Sequence, residues 1–196
     1  MFAEKGGKSW PSGTIATAFC IRCTGATSVS LSWSASSGAT QYEVYRFSSS
    51  LTTTASTSYS DASVSSGATY VYKVRAIDSS SRDSPFSAPD AATTIVFTDD
   101  PLVTNTTAIK AVHLMEVRQA VNAMRAAAGL APASFTDATL TGVPIKAAHV
   151  QQLRAALDEA RAALGLAALV YTDPALVTAT TTVKAAHVQQ LRDGVK

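Results

Sequence analysis

One pattern recurs three times in the second half of this chain. Phe97-Thr98-Asp99 returns as Phe135-Thr136-Asp137 and again as Tyr171-Thr172-Asp173. Downstream stand Ile109-Lys110-Ala111-Val112-His113, Ile145-Lys146-Ala147-Ala148-His149 and Val183-Lys184-Ala185-Ala186-His187. An arginine follows each histidine by five residues, at Arg118, Arg154 and Arg192, and the copies lie 36 to 38 residues apart. A period of this size marks a supersecondary unit that cannot bury its apolar face alone and needs its neighbours to do so.

Each copy reads as a loop followed by one helix. In the second copy, Pro144 suits a first helical turn. Ile145, Ala148, Leu153, Ala156, Leu157, Ala160 and Leu164 then form a stripe at helical spacing, and Gly165 is placed to end the helix in a left-handed conformation. Ile109, Val112, Val117, Val121, Met124 and Gly129 repeat the pattern in the first copy. The many alanines between them let helices approach closely. Phe97, Phe135, Tyr171, Leu102, Leu140 and Leu176 are the expected plugs by which the loops cover the helices. Residues 97–196 are therefore expected to be an all-α bundle of three loop–helix repeats, with units at 97–134, 135–170 and 171–196.

The first half has a different texture. Ser28 to Ala35 alternates Val29, Leu31 and Trp33 with serines, the period-two signature of a half-buried strand. Gln41 to Arg46 alternates too, with Tyr42 and Val44 on one face. Thr69 to Ala76 places Tyr70, Tyr72, Val74 and Ala76 on one face and Val71, Lys73 and Arg75 on the other. Further strands are expected near 14–18, 51–54, 57–60 and 91–96, with turn clusters at Ser36-Ser37-Gly38 and Ser65-Ser66-Gly67. Seven or so short strands with regular turns predict an all-β sandwich over residues 12–96, after an irregular segment at 1–11.

The residues here also carry a resemblance. Trp33, then Tyr42-Glu43-Val44-Tyr45-Arg46, then Gly67-x-x-Tyr70-x-Tyr72-x-Val74-x-Ala76, then Ser84-Pro85-Phe86-Ser87-Ala88-Pro89, resembles bacterial fibronectin type III domains. The resemblance implies an immunoglobulin-like sandwich in which Trp33 is buried and the Tyr70 hydroxyl bonds nearby backbone, as in a tyrosine corner. The segment from Ala16 to Cys23 departs from the family's usual first strand, and no Arg-Gly-Asp adhesion sequence is present. The repeats are similar to Ala-rich units that follow such domains in bacterial secreted proteins. That likeness implies an extracellular or cell-surface parent and no particular activity.

Composition limits the function classes. A formal net charge of +2, with no basic run, gives no nucleic-acid footprint. No apolar stretch approaches the roughly 18–20 residues needed to span a bilayer, and the first residues lack the apolar core of a signal peptide. The low charge and abundant Ser and Thr nevertheless suit an exported protein, so a fragment of a longer secreted chain is expected. The two cysteines, Cys20 and Cys23, lie in a strand-like segment. They read as incidental thiols, with a local disulfide or half of a metal site as alternatives.

The remaining chemistry sits in the repeats. His113, His149 and His187 occupy equivalent positions, and three imidazoles can hold a zinc ion with one open position. Equivalent positions in a stack lie one repeat apart, so only a closed three-fold arrangement would let them share an ion. The structural reading has each histidine bonding its own loop through Asp99, Asp137 or Asp173, or through a carbonyl. Arg118, Arg154 and Arg192 then pair with an aspartate or with loop carbonyls. No hydrolase, metalloprotease, nucleotide or dinucleotide motif is present, and Asn105-Thr106-Thr107 fits the glycosylation acceptor pattern. The expected function is a non-catalytic binding or spacer module, with no cofactor, for an unidentified protein or carbohydrate ligand. The alternatives are a zinc-assisted esterase or phosphoesterase built on the three histidines, and a structural subunit that self-associates.

Overall fold

The computed structural model describes residues 19–103, 106–177 and 181–196. The irregular segment expected at 1–11, the strand expected near 14–18, the glycosylation acceptor Asn105 and the side chains of Cys20 and Cys23 lie outside the described residues.

Seven strands precede three helices. They are β1 (Phe19–Gly25), β2 (Ser28–Trp33), β3 (Ala39–Arg46), β4 (Ser49–Thr54), β5 (Ser58–Asp61), β6 (Thr69–Asp78) and β7 (Asp90–Thr93). They form a three-stranded sheet in the order β1-β2-β5 and a four-stranded sheet in the order β4-β3-β6-β7. The Cys20–Cys23 segment pairs along β2, from Phe19 opposite Trp33 to Cys23 opposite Val29. The last strand stops at Thr93, three residues short of the expected end.

The period-two pattern does what it predicts on one face of each sheet. Val29, Leu31 and Trp33 of β2, Tyr42 and Val44 of β3, and Tyr72, Val74 and Ala76 of β6 share one buried cluster. Trp33 meets Tyr42 edge to face, with ring centroids 5.6 Å apart. Tyr70 sits at the rim, and its hydroxyl accepts the Ser65 amide at 2.8 Å, the bond expected of a tyrosine corner. Inside the sandwich, Asp61 is fully buried. It accepts from Tyr72 Oη and from Arg46 Nη1, each at 2.9 Å.

The helices are α1 (Ala111–Ala127), α2 (Ala147–Ala163) and α3 (Ala185–Gly194). All three touch one another, and Leu114, Val117, Val121, Met124, Val150, Leu153, Leu157, Val188 and Leu191 share one apolar cluster. Val71 of β6 and Ala91 of β7 belong to that cluster as well. The outer face of the four-stranded sheet is thus the floor on which α1 packs, with α2 and α3 against α1.

Two sequence expectations are corrected. Pro144 precedes the N-cap residue Lys146 and lies outside the helix, which begins at Ala147. Leu153, Ala156, Leu157 and Ala160 of the expected stripe are buried, but in the first turn Ala147 and Val150 are buried and Ala148 is only half-buried. In the first copy Leu114 is buried and Val112 is 40% exposed. Gly129 and Gly165 do end their helices with φ of +71° and +69°. Among the plugs, Phe97, Leu102, Leu140 and Leu176 are buried, whereas Phe135 and Tyr171 are half-buried against the same cluster. No described helix is long and apolar enough to cross a membrane.

Candidate functional site: the loop anchors

Each recurring aspartate adopts the left-handed backbone region, with φ of 51° at Asp99, 54° at Asp137 and 49° at Asp173. Aspartate is among the few residue types that visit this region readily. Oδ2 of Asp99 accepts from Lys110 Nζ at 2.8 Å and from His113 Nε2 at 3.1 Å. The corresponding distances at Asp137 are 3.3 Å from Lys146 and 3.0 Å from His149. At Asp173 they are 2.6 Å from Lys184 and 3.0 Å from His187.

The other ring nitrogen of each histidine is also engaged. Nδ1 of His113, His149 and His187 accepts the backbone amide of Lys110, Lys146 and Lys184, in each case at 3.2 Å. Each lysine is the N-cap of its helix and each histidine stands at the third helical position. That is where a capping box has Glu or Gln reaching back to the N-cap amide; here an imidazole does it. Since Nδ1 accepts, the ring proton is on Nε2, where it is donated to the aspartate. All three rings are fully buried.

The arginines reach the next loop rather than their own. Arg118 donates through Nη2 and Nη1 to the carbonyls of Thr136 and Asp137, each at 2.8 Å. Arg154 does the same to Thr172 at 2.8 Å and Asp173 at 2.9 Å. Arg192, in the last helix, donates to Thr98 at 2.8 Å and Asp99 at 3.1 Å in the first loop. The relation is cyclic: first helix to second loop, second helix to third loop, third helix back to the first. Each guanidinium also lies over the aromatic ring of the loop it holds, 5.0 Å from the Phe135 centroid, 4.4 Å from Tyr171 and 4.8 Å from Phe97.

Three anchors escaped the sequence reading. Glu116, Gln152 and Gln190 accept the amides of Thr98, Thr136 and Thr172 at 3.0, 3.0 and 3.1 Å. Their signal was present, since each stands three residues after a recurring histidine and can accept a hydrogen bond. Arg125 and Arg161, each seven residues after a recurring arginine, were missed too. Arg125 holds the carbonyl of Ala131 at 2.8 Å and Arg161 that of Ala167 at 2.8 Å, in the turns after their helices.

Electrostatics follow the geometry. The Lys110 ammonium and then His113 hold the Asp99 carboxyl below the usual carboxylate range. His149 and then Lys146 do so for Asp137, and Lys184 and then His187 for Asp173. Burial pushes the guanidinium groups of Arg118, Arg154 and Arg192 down from their ordinary value. For Arg192, Glu116 at 3.2 Å opposes that effect.

The structure brings each histidine to one aspartate and one lysine, and does not bring the three histidines to one another. Among the described residues, no three His, Cys, Asp or Glu side chains are grouped to hold a metal ion. Binding of zinc by any of these rings would require breaking a helix cap or an aspartate contact. Trp33 and Tyr70 lie in the sandwich, remote in role from the loops.

No family model matches the chain. A stretch of 82 residues is 40% identical to the poly(3-hydroxybutyrate) depolymerase of Ralstonia pickettii, covering 42% of this chain and 17% of that protein. A stretch of 72 residues is 46% identical to an alpha-amylase of Niallia circulans, covering 35% of this chain and 6% of that protein. The matches thus span a small part of both relatives. Among solved structures, a Fn3-like protein from Clostridium thermocellum aligns with 39% of this chain and 92% of its own, at 27% identity and a TM-score of 0.34. The sixth fibronectin type III domain of human fibronectin type III domain containing protein 3 aligns with 44% of this chain and 91% of its own, at 23% identity and a TM-score of 0.37. The two antiparallel sheets, their strand order and the Tyr70 corner bond make the N-terminal part of this protein a fibronectin type III-like sandwich.

Proposed function

We propose that this chain is a non-catalytic binding or spacer module of an extracellular protein, built from the sandwich and a closed unit of three loop–helix repeats at 97–196. The observation that carries the reading is the use of the chemistry-bearing side chains. Both nitrogens of His113, His149 and His187 are occupied in fastening loops to helices. The arginines that accompany them are spent on backbone carbonyls and aromatic faces. A set of groups so committed supports shape rather than turnover.

Two further facts support a spacer. Val71 and Ala91 join the helical cluster, so sandwich and helices share apolar packing at their junction. The relatives are much longer proteins named as a depolymerase and an amylase, of which the matched part is a small share. That proportion suits a segment that accompanies a catalytic domain. An exported parent is consistent with the Ser- and Thr-rich, weakly charged sequence.

The zinc-assisted hydrolase remains the competing reading and is directly testable. Protein purified without a histidine tag is expected to bind no stoichiometric zinc, to melt at the same temperature with and without chelator, and to turn over no esterase or phosphoesterase substrate. About one zinc per chain, together with activity lost in His149→Ala, would overturn the proposal. Self-association is tested on the same sample by its sedimentation at rising concentration.

A further inference from the structure

The junction between sandwich and helices contains a cleft of about 580 Å³. Its walls are Ser66 and Gly67 of the turn before β6, Ile95 and Val96 of the segment leaving β7, and Gln119, Asn122 and Ala123 of α1. We propose that this cleft is a binding site for a short stretch of neutral, hydroxyl-rich polymer, an oligosaccharide chain. The inference rests on the module reading above and adds to it the place and chemical class of the ligand.

Three features of the cleft select that class. First, no charged side chain lines it, so neither a phosphate nor a carboxylate would find a counter-charge there. Second, its polar groups are neutral and able to hydrogen-bond in both senses. Gln119 and Asn122 are one helical turn apart on the same face of α1, and Ser66 stands opposite with its hydroxyl. The Asn122 carboxamide is oriented: Oδ1 accepts the Ala133 amide at 2.9 Å. That bond fixes which end of the carboxamide is the oxygen and leaves the amino group, two donors, for a ligand oxygen. The Gln119 side chain is exposed and makes no hydrogen bond among the described residues. Third, the apolar share of the wall is small and aliphatic. Val96 is 67% exposed at the cleft, enough to meet the carbon-bound face of a sugar ring.

Size agrees with the assignment. Small-ligand sites occupy roughly 300–1,000 Å³ and favour junctions between packed units. The alternative surface, the aromatic pair on the outer sheet, fits less well. Tyr45 and Phe86 meet at 78°, so they present no flat platform, and Arg75 already covers both rings.

The test is an amide-resolved NMR titration of the intact chain with maltohexaose, cellohexaose and, separately, a 3-hydroxybutyrate oligomer. Expected are saturable shifts at Ser66, Gly67, Val96, Gln119 and Asn122 with at least one of the two saccharides at millimolar concentration. Gln119→Ala should weaken binding about threefold to tenfold, the loss of one or two ligand hydrogen bonds, without changing the melting temperature. Asn122→Ala also removes a loop contact, so Gln119→Ala is the decisive variant. Shifts confined to other surfaces, shifts with the ester oligomer alone, or no shift with either saccharide would overturn the assignment. None of these outcomes would bring back zinc or esterase turnover, so the site can fail while the module reading stands.

Discussion

Arg192 Nη2 donates to the carbonyl oxygen of Thr98 at 2.8 Å, joining residues 94 positions apart in the chain. With Arg118 on the second loop and Arg154 on the third, this contact completes a cycle in which every loop is held from behind by its own helix and from the front by the preceding one.

Because the grip needs two donors in a fixed plane, lysine should fail at these sites. Arg154→Lys and Arg192→Lys should each destabilise the protein by about 1.5–3 kcal/mol, the range for hydrogen bonds to charged groups, in urea unfolding followed by circular dichroism. For Arg192→Lys, hydrogen exchange should quicken at both Thr98–Leu102 and α3, since the bond ties them together. A loss of protection confined to α3 would argue against closure of the cycle.

The histidine caps make a graded series. Glutamine at the third helical position can still reach the N-cap amide but is too short to hold the aspartate as well. His149→Ala is expected to cost about 1–2 kcal/mol, as loss of a cap does, and His149→Gln distinctly less. Equal costs for the two would show that the Asp137 contact, and not the cap, is what the ring supplies.

Acid should loosen the loops. The Asp99, Asp137 and Asp173 carboxyls titrate below their unfolded value because lysine and histidine hold them charged. Asp61 behaves likewise: burial pushes it up, but Ser63, Tyr72 and Arg46 together reverse that and leave it lowered. For a carboxyl lowered in the folded state, the stabilisation is complete above the unfolded value, near pH ~4, and is lost as pH falls through the folded value. Within the carboxylate range, melting temperatures measured from pH 5 down to pH 2 should therefore fall as pH drops through the folded values. Asp137→Asn should reduce the steepness of that fall, and an unchanged slope would contradict the linkage.

The junction predicts cooperativity. Val71 is 6% exposed and packs with the helices. Val71→Ser should uncouple the two parts, so that calorimetry of the variant resolves two transitions where the parent protein gives a merged one. A change of Gly165, with φ of +69°, to alanine should lower stability by about 1 kcal/mol through the left-handed backbone alone, without splitting the transition.

Much of this was legible in the chain. The alternation of Val29, Leu31 and Trp33 assigned a face to β2, and the resemblance to fibronectin type III domains implied the Tyr70 corner bond. The recurring Asp, Lys and His were the residues that meet around each loop, and Gly129 and Gly165 marked helix ends. These are local matters, decided by period, backbone preference and capping within a dozen residues. The first turn of α2 was less legible: the helix begins after the N-cap Lys146, beyond Pro144, and packing against its neighbours buries Ala147 and Val150 rather than Ala148 there.

What only the tertiary structure decided was partnership between distant parts. The sequence offered Arg154 a choice of aspartate or carbonyl and could not say whose loop it would hold. It placed Val71 on the outer face of β6 without revealing that α1 covers that face. A guanidinium bonds any well-placed acceptor, and a valine packs against any apolar neighbour, so neither side chain specifies its partner in advance. Packing α1 on the sheet and the three helices on one another fixed both choices, and with them the cleft beside Gln119 and Asn122.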